Sequence, residues 1–345
     1  MRRPYLAYLA ALLPTVATGQ DALPSVNQRA EGLQTASNLF DVTTLNALTD
    51  DYMSTMLQFG FTGNLAQGGS NMVNSVVHAG ALGEVIQRFD GVQSIDNHAA
   101  LGAIDVYGRI NQRGTNLAGS AISETLQFAD QLLGANGRQF VLNSAEVDIL
   151  YGGVGQYGSN TANYAEAALA IGTASQNIEL GAVQRVDNRL HLAAMSAVSS
   201  VIEQSGENFG NIMISETVET VTRNFAGDQI VHNVVHLGAG DPGTITQSGF
   251  NVANMIMSSR IGMLSQTSIG RQEVINEVFN AQGQLMTGGN IVQTSENIVN
   301  LTVLTMPADG GDNAVIGVEQ TAAFPQTSNG NGGGSQTGNS ATIDR

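Results

Sequence analysis

Short apolar stretches alternate with glycine and polar residues over most of the chain, from about residue 51 to residue 304. Three stretches are rich in β-branched residues, at 228–237, 245–247 and 297–304. Runs of this length and composition, bounded by Gly, Asn and Ser, are typical of β-strands. The pattern therefore predicts extended strands as the main element.

Two alanine-rich stretches, 163–170 and 190–197, favour a different element. Alanine has the highest helix propensity, and periodicity alone does not separate short apolar helices from strands. An α/β or helical repeat therefore stays open as an alternative.

One polar pattern, Gln-x-Gly-x-Asn, recurs along the chain. Stacked copies of Gln and Asn can hydrogen-bond to one another through their amides, and we expect glycine to permit a tight corner. An enzyme needs one site, whereas a stack of similar units uses the same pattern many times. The candidate ladder residues are Gln112, Gly114 and Asn116, Gln156, Gly158 and Asn160, Gln204, Gly206 and Asn208, and Gln247, Gly249 and Asn251, with a weaker copy at Gln58 and Gly60.

The spacing of these copies indicates a repeat architecture. The four clear copies are about 45 residues apart, and weaker relatives between them reduce the step to about 23 residues. The weaker relatives are Gln87, Gln131, Gln184, Arg223, Gln266 and Gln293. We predict an all-β fold, a β-solenoid of about 23-residue strand–turn–strand repeats in two stacked sheets.

The composition changes at both ends of the chain. Residues 1–19 have a basic start, a short apolar run and small residues at the end, which predicts a secretory signal peptide. Residues 20–50 carry no repeat and are predicted as a leader or cap, and 51–304 form the solenoid domain. Residues 305–345 are rich in Gly, Asn and Ser and predict a flexible tail.

The charge balance limits the possible partners. The 345 residues carry 13 basic and 29 acidic groups, no Cys and no Lys, and a net charge of −16. Loss of residues 1–19 removes Arg2 and Arg3 and no acid, which gives −18. Such a chain repels nucleic acid and anionic membranes, so we expect neither nucleic-acid binding nor membrane insertion.

The repeated pattern resembles the curlin repeat of curli, the secreted amyloid fibres of bacterial biofilms. The resemblance covers roughly residues 51–304 and rests on Gln, Gly, Asn and Ala in order, as in the copies that end at Ala118, Ala162 and Ala253. The spacing from Gly to Asn is one residue shorter than in that family. The resemblance implies self-polymerisation at the cell surface, with a nucleator or an outer-membrane export channel as possible further partners.

Two motifs suggest other chemistry. Residues 153–158 match G-x-G-x-x-G, and Glu179 follows at the distance of a ribose-binding acid, as in a dinucleotide site. His232 and His236 share one face of a strand or a helix and are a possible metal pair. We predict a glycine-rich corner and two strand histidines instead, and hence no cofactor, no metal, no catalytic residues and no enzyme activity.

Three functional hypotheses follow. The first is a secreted, extracellular structural protein that forms or caps curli-like cell-surface fibres through strand-edge self-association, for adhesion and biofilm matrix. The second is a monomeric β-solenoid adhesin or glycan-binding module. The third is a secreted β-helical enzyme that acts on polysaccharide.

Overall fold

The structure is a computed structural model. It describes residues 23–41, 64–195, 200–238, 243–286, 290–305, 314–322, 326–329, 334–337 and 340–343. The predicted signal peptide, Gln58 and Gly60 lie outside the described residues. In the described part of the chain, no helix is long and apolar enough to cross a membrane.

The fold is all-β, as the sequence predicted. All pairings between the named strands are parallel, and they form a 13-stranded sheet and a seven-stranded sheet. The strands are β1 (Ser25–Ala30), β2 (Leu33–Asp41), β3 (Leu65–Val77), β4 (Ala81–Phe89), β5 (Val92–Val106), β6 (Arg109–Leu133), β7 (Arg138–Leu150), β8 (Gly153–Ile178), β9 (Val183–Met195), β10 (Val201–Phe225), β11 (Asp228–Leu237), β12 (Thr244–Ser258), β13 (Arg260–Ser268), β14 (Arg271–Phe279), β15 (Ile291–Val299), β16 (Leu301–Leu304), β17 (Ala314–Ala322), β18 (Gln326–Asn329), β19 (Gly334–Thr337) and β20 (Ser340–Ile343).

Each coil of this β-solenoid consists of three stretches, which we name a, b and c. In the coil built from β6 and β7, stretch a is 109–123, stretch b is 125–133 and stretch c is 138–150. Stretch a faces c, because the Gln112 side chain donates to the carbonyl of Ser144 at 2.8 Å. It also faces b, because the Gln131 side chain donates to the carbonyl of Gly119 at 3.2 Å. The coil is therefore two layers thick, with a on one side and b and c on the other.

The same three stretches recur along the described chain. Stretch a is formed in turn by β3, β6, β8, β10, β12, β15 with β16, and β19 with β20. Stretch b is formed by β1, β4, the second parts of β6, β8 and β10, β13 and β17, and stretch c by β2, β5, β7, β9, β11, β14 and β18. Side chains stacked between neighbouring coils from Gln67 to Gln293 are 43 to 48 residues apart in sequence. The predicted step of about 23 residues is therefore not confirmed as the coil interval.

A kink in stretch a recurs at one register position. The backbone there is left-handed, with φ between 50° and 58° at the asparagines and 71° at Gly119. Short polar side chains and glycine adopt this conformation at low cost. The asparagines are Asn74, Asn163, Asn211, Asn254 and Asn300.

The repeat glycines lie in the middle of strands, so their predicted role as tight corners is wrong. Gly114, Gly158, Gly206 and Gly249 occupy β6, β8, β10 and β12, and none has a positive φ. A Cβ on each of them would lie only 2.1–2.4 Å from a γ-carbon of a valine in the facing stretch c. The facing valines are Val141, Val186, Val231 and Val274. Glycine is needed here because the two layers approach too closely for any side chain.

The alternative of helices in the alanine-rich segments is wrong for the described residues. Residues 163–170 lie in β8, and 190–195 lie in β9. Alanines such as Ala165 and Ala167 are buried between the two layers, where their small size fits. Pairing with neighbouring coils therefore outweighs the helix propensity of alanine.

The two ends of the chain also contribute strands. Residues 25–30 and 33–41 of the predicted leader form β1 and β2. In the predicted tail, β17 to β20 pair in parallel with β13 to β16. An existing strand edge supplies the hydrogen bonds that this Gly-, Asn- and Ser-rich segment needs, despite its low strand propensity. The described residues of the predicted tail therefore lie in strands.

The contact between Gly158 and Val186 gives a stability prediction. Gly158→Ala should lower the free energy of unfolding by roughly 1–3 kcal/mol, because the new methyl group overpacks the interior. Val186→Ala in the same chain should recover part of this loss by opening space, so that the double variant loses less than the sum of the single variants. Chemical denaturation of the four proteins measures the coupling.

Gly68→Ala is the matched control. Gly68 lies in β3, and an added Cβ would meet only the carbonyl oxygen of Arg113, at 3.9 Å. We expect its stability to be close to that of the unchanged protein. Equal losses for Gly68→Ala and Gly158→Ala would contradict the close approach of the layers as the reason for glycine.

Candidate functional site

A column of glutamines runs through stretch a from coil to coil. Gln112, Gln156, Gln204 and Gln247 pair in register, between Gln67 on one side and Gln293 on the other. Each Nε2 donates to the Oε1 of the preceding glutamine over 2.6–2.8 Å. The four central side chains are at most 1% exposed. The column is a continuous amide ladder in the dry interior.

The asparagines of the same motif form a second ladder. Asn116, Asn160, Asn208 and Asn251 stack between Asn71 and Asn297, and neighbouring amides lie 2.8–3.0 Å apart. Their Nδ2 atoms also donate to carbonyls of the facing stretch c, as Asn116 does to Phe140 at 2.9 Å. Each amide thus binds its own copies along the axis and the opposite layer across it.

Stretch c carries a facing motif that the sequence analysis missed, Gln-x-Val-x-Asn. Gln139 and Asn143 flank Val141, so that an amide, an apolar residue and an amide face Gln112, Gly114 and Asn116. The motif keeps the spacing of the first pattern but has valine in place of glycine. A search for Gln and Asn at this spacing, with any residue between them, would have found it. Its ladders contain Gln34, Gln93, Gln139, Gln184, Gln229 and Gln272, and Asn38, Asn97, Asn143, Asn188, Asn233 and Asn276.

The weaker relatives found in the sequence belong to different ladders. Gln184 stacks with Gln139 in stretch c, whereas Gln87 stacks with Gln131 in stretch b. The likeness of the segments that start at Gln87 and Gln184 therefore does not reflect the same place in the coil. The full ladder of stretch b runs through Gln28, Gln87, Gln131, Gln176, Arg223, Gln266 and Gln320.

Arg223 interrupts the ladder of stretch b. It lies in register between Gln176 and Gln266, is 1% exposed, and none of its three guanidinium nitrogens has a hydrogen-bond partner. The Oε1 of Gln176 is unpartnered as well, since no amide follows it in the column. Desolvation lowers the pKa of Arg223 from its ordinary value to about 9. The guanidinium is thus a buried, uncompensated charge at neutral pH.

The ladders have a fixed polarity. Among the described residues, the glutamine-to-glutamine bonds all donate toward the N-terminal coil, as from Gln156 to Gln112. The asparagine-to-asparagine bonds all donate toward the C-terminal coil, as from Asn116 to Asn160. Backbone carbonyls enforce this orientation, because an amide must turn its nitrogen toward them. The two ends of the stack therefore offer different groups.

The strands at both ends of the described stack are paired on one side only. At the N-terminal end, β1, β2 and β3 pair only with β4, β5 and β6. At the C-terminal end, β17, β18, β19 and β20 pair only with β13, β14, β15 and β16. Among the described strands, these are the open edges at which another strand can add.

The outer face of stretch a carries a shallow groove of about 230 Å³ across β6, β8 and β10. The Tyr157 hydroxyl donates to the Glu203 carboxylate at 2.8 Å, and Arg109 pairs with the same carboxylate. Arg113 and Glu207 line the groove, and burial raises the pKa of the Glu207 carboxyl while the charge of Arg113 opposes the shift. A fixed aromatic ring between charged groups is a surface that can contact a polar ligand.

The structure places the two motifs with other chemistry in strands. Residues 153–158 are the first residues of β8, and a strand follows them instead of the helix whose N-terminus a pyrophosphate needs. His232 lies 3.5 Å from Asp187, whereas the ring of His236 stacks on Phe279 at 4.9 Å. Within the described ranges, no group of three or more His, Asp or Glu side chains is placed to hold a metal.

Gln156 gives a direct test of the ladder. Gln156→Ala should lower the free energy of unfolding by about 3 kcal/mol, because the Oε1 of Gln112 and the amide of Gln204 each lose a buried partner. Gln127→Ala is the control, because Gln127 points to solvent. Equal stability of both variants in urea would show that the ladder bonds are not stabilising.

Gln156→Glu keeps the shape and changes the chemistry. A carboxylate at this position faces the carbonyls of Asn143 and Arg189, which raises its pKa in the folded state. The stability of the variant should therefore be greatest below the unfolded pKa of about 4.3 and fall as the pH rises through the folded pKa. If the stability of Gln156→Glu varies with pH in the same way as that of the unchanged protein, the side chain at position 156 does not lie against these carbonyls.

Arg223→Gln should stabilise the protein by completing the ladder of stretch b. The lowered pKa corresponds to a penalty on the order of 5 kcal/mol for the charged group. Because the folded pKa lies below the pKa of arginine in the unfolded chain, this penalty is present in full below about pH 9 and is relieved as the pH rises above it. The stability gap between Arg223→Gln and the unchanged protein should therefore narrow above about pH 9.

Arg223→Met is the matched control, because methionine removes the charge and restores no amide. We expect both variants to lose the alkaline pH dependence, and Arg223→Gln to be the more stable of the two. If Arg223→Gln is no more stable than Arg223→Met, the stabilisation comes from removal of the buried charge alone and not from the restored amide bonds.

Comparison of the chain with protein-family models, with curated proteins and with solved structures returned no match. The ladders, the open strand edges and the outer groove are therefore the observations on which a function for this chain must rest.

Proposed function

We propose that the protein is a secreted structural protein that forms or caps curli-like fibres at the cell surface by strand-edge self-association. Its role is in cell adhesion and biofilm matrix. The observation that carries the proposal is the set of amide ladders that run through the interior of the described stack, together with end strands that pair on one side only. A second copy stacked on such an edge continues the same hydrogen bonds that hold the interior together.

Four of the seven end strands lack the usual protection against this pairing. Natural edge strands carry prolines, inward-pointing charges or lysines that oppose the addition of another strand. In contrast, β3 contains no proline and no charged residue, and the same is true of β18, β19 and β20. The composition of the edges therefore favours addition of a further strand.

The acidic charge gives a means of control. A net charge of −16, or −18 without residues 1–19, opposes the approach of two copies in dilute salt. Screening shortens the range of this repulsion to about 8 Å at physiological ionic strength. We therefore expect the chain to stay separate at low salt and to associate once its charge is screened.

The proposed location and partners follow from the amino-terminal segment and from the curlin resemblance. A signal peptide would direct export, and the main partner is another copy of the chain, with a nucleator or an outer-membrane export channel as further candidates. We propose no nucleic-acid partner and no membrane insertion, because both are opposed by the negative charge.

The outer groove favours the alternative of a monomeric β-solenoid adhesin or glycan-binding module. The ring of Tyr157 lies beside Arg113 and hydroxyl side chains, a combination suited to a sugar. This alternative predicts a chain that stays monomeric in light scattering at physiological salt and binds glycans.

Val77 allows a direct test of strand-edge association. The N–H of His78 bonds to Ile122 in β6 at 2.9 Å, so the N–H of Val77, one residue earlier in an extended strand, points to the open edge. Purified chain without residues 1–19 should form filaments with a reflection near 4.7–4.8 Å, and sooner at higher salt. Val77→Pro removes the edge N–H and should delay filament growth at least about tenfold.

Val77→Ala is the control, because it shortens the side chain and keeps the N–H. It should assemble at nearly the unchanged rate, and both variants should unfold at similar denaturant concentrations. Stable monomers over days at physiological salt would refute self-association and leave the adhesin alternative. Equal assembly of the Pro and Ala variants would show that β3 is not the edge in use.

A further inference from the structure

The described strands make up a whole number of turns. The series starts on stretch b with β1 and ends on stretch a with β19 and β20, and each stretch occurs seven times. The N-terminal end therefore has b and c of a coil whose stretch a no described strand supplies. The C-terminal end has stretch a of a coil whose b and c no described strand supplies.

The two incomplete coils fit each other. If a second copy follows the first, β19 and β20 of the first copy come to lie beside β3 of the second. At the same time β17 comes to lie beside β1, and β18 beside β2. Three strand edges then pair at once, and one coil is shared between the two chains.

The register carries through this junction. The pairing of each stretch continues from coil to coil, and it places Gly334 at the register position of Gly69. By the same rule, Gln320 takes the position next to Gln28 in stretch b. Gln326 takes the position next to Gln34 in stretch c. The three edges are therefore in register together.

The polarity of the ladders selects the orientation. At its N-terminal end the stack presents glutamine nitrogens and asparagine oxygens, because glutamines donate toward that end and asparagines away from it. At its C-terminal end the sense is reversed, as the bond from Gln320 to Gln266 shows for glutamine. Two like ends would set glutamine donor against glutamine donor, whereas unlike ends place Gln320 beside Gln28 and keep the donor direction of the stretch b ladder.

We propose that copies of this chain associate in one polar, head-to-tail arrangement, in which β19 and β20 of one copy complete the first coil of the next. This inference rests on the proposed self-association and specifies its surface: β17–β20 on one copy and β1–β3 on the other. Seven coils at about 4.8 Å each give an axial repeat of about 34 Å per subunit. Subunits joined through a partial or duplicated coil would not give this repeat.

Cysteine cross-linking tests the orientation, and the absence of native cysteine makes the result clean. Ser335 lies at the register position of Ser70, one strand away across the proposed junction. Neighbouring parallel strands are about 4.8 Å apart, which is within the range of Cα separations in disulfides. A mixture of full-length Ser70→Cys and Ser335→Cys chains, assembled and then oxidised, should form linked dimers, and neither variant alone should do so.

Further pairs guard against a variant that fails to fold or assemble. Ser75→Cys with Ser340→Cys is a second in-register pair and should also cross-link. Ser75→Cys with Ser335→Cys is out of register by five residues, about 16 Å, and should give at least about tenfold less dimer.

The outcomes separate this inference from the proposed function. Filaments with cross-links only in the in-register mixtures, and an axial repeat of about 34 Å, support both. Filaments with Ser70→Cys homodimers, or without in-register cross-links, overturn the polar junction and leave self-association standing. Absence of both filaments and cross-links overturns the self-association on which the junction depends.

Discussion

The buried side-chain amide is the group that the rest of this structure depends on. Gln156 shows its requirements: its Nε2 donates to Gln112 along the axis and to the carbonyls of Asn143 and Arg189 across the coil. Its Oε1 accepts from Gln204. An amide without such partners in a dry interior costs several kcal/mol, roughly 2–7 by transfer measurements. Only a copy above, a copy below and an opposite layer at fixed distance meet all of its needs, so the ladder dictates both register and coil thickness.

The apolar part of the interior is fitted to this requirement. Where Gln112 and Asn116 reach across to stretch c, Gly114 between them leaves room for Val141. A larger residue at the glycine position would push the layers apart and lengthen the amide-to-carbonyl bonds on both sides of it. A slip of one residue would move every amide to the outer face, because side chains alternate along a strand. Packing and hydrogen bonding thus select the same register.

The sequence was sufficient to predict strands and a repeat, because these follow from local composition and from a recurring motif. It was not sufficient for the coil length, since Gln87 and Gln184 look alike and occupy different stretches. The facing motif around Val141 was missed, because it shares only its amides with the first pattern. The role of Gly158 was misassigned. Val186, for which Gly158 leaves room, is far away in the sequence, and the sequence alone does not distinguish such a glycine from one at a bend of the chain. Each error concerns which stretches face each other, and that is a long-range property.

A stack of this kind tolerates an unfavourable interaction at one position better than a globular core does. The unpaired charge of Arg223 sits in one column, while the ladders of stretches a and c pass the same coil without interruption. The first and last coils lack this support, because a ladder that ends leaves an amide with one neighbour fewer. Any finite stack has two ends, so the described strands by themselves leave this deficit at both. Because the described chain begins on stretch b and ends on stretch a, a second copy can meet the deficit at both ends with the bonds already used inside. The proposed assembly then rests on the same constraint that folds the chain.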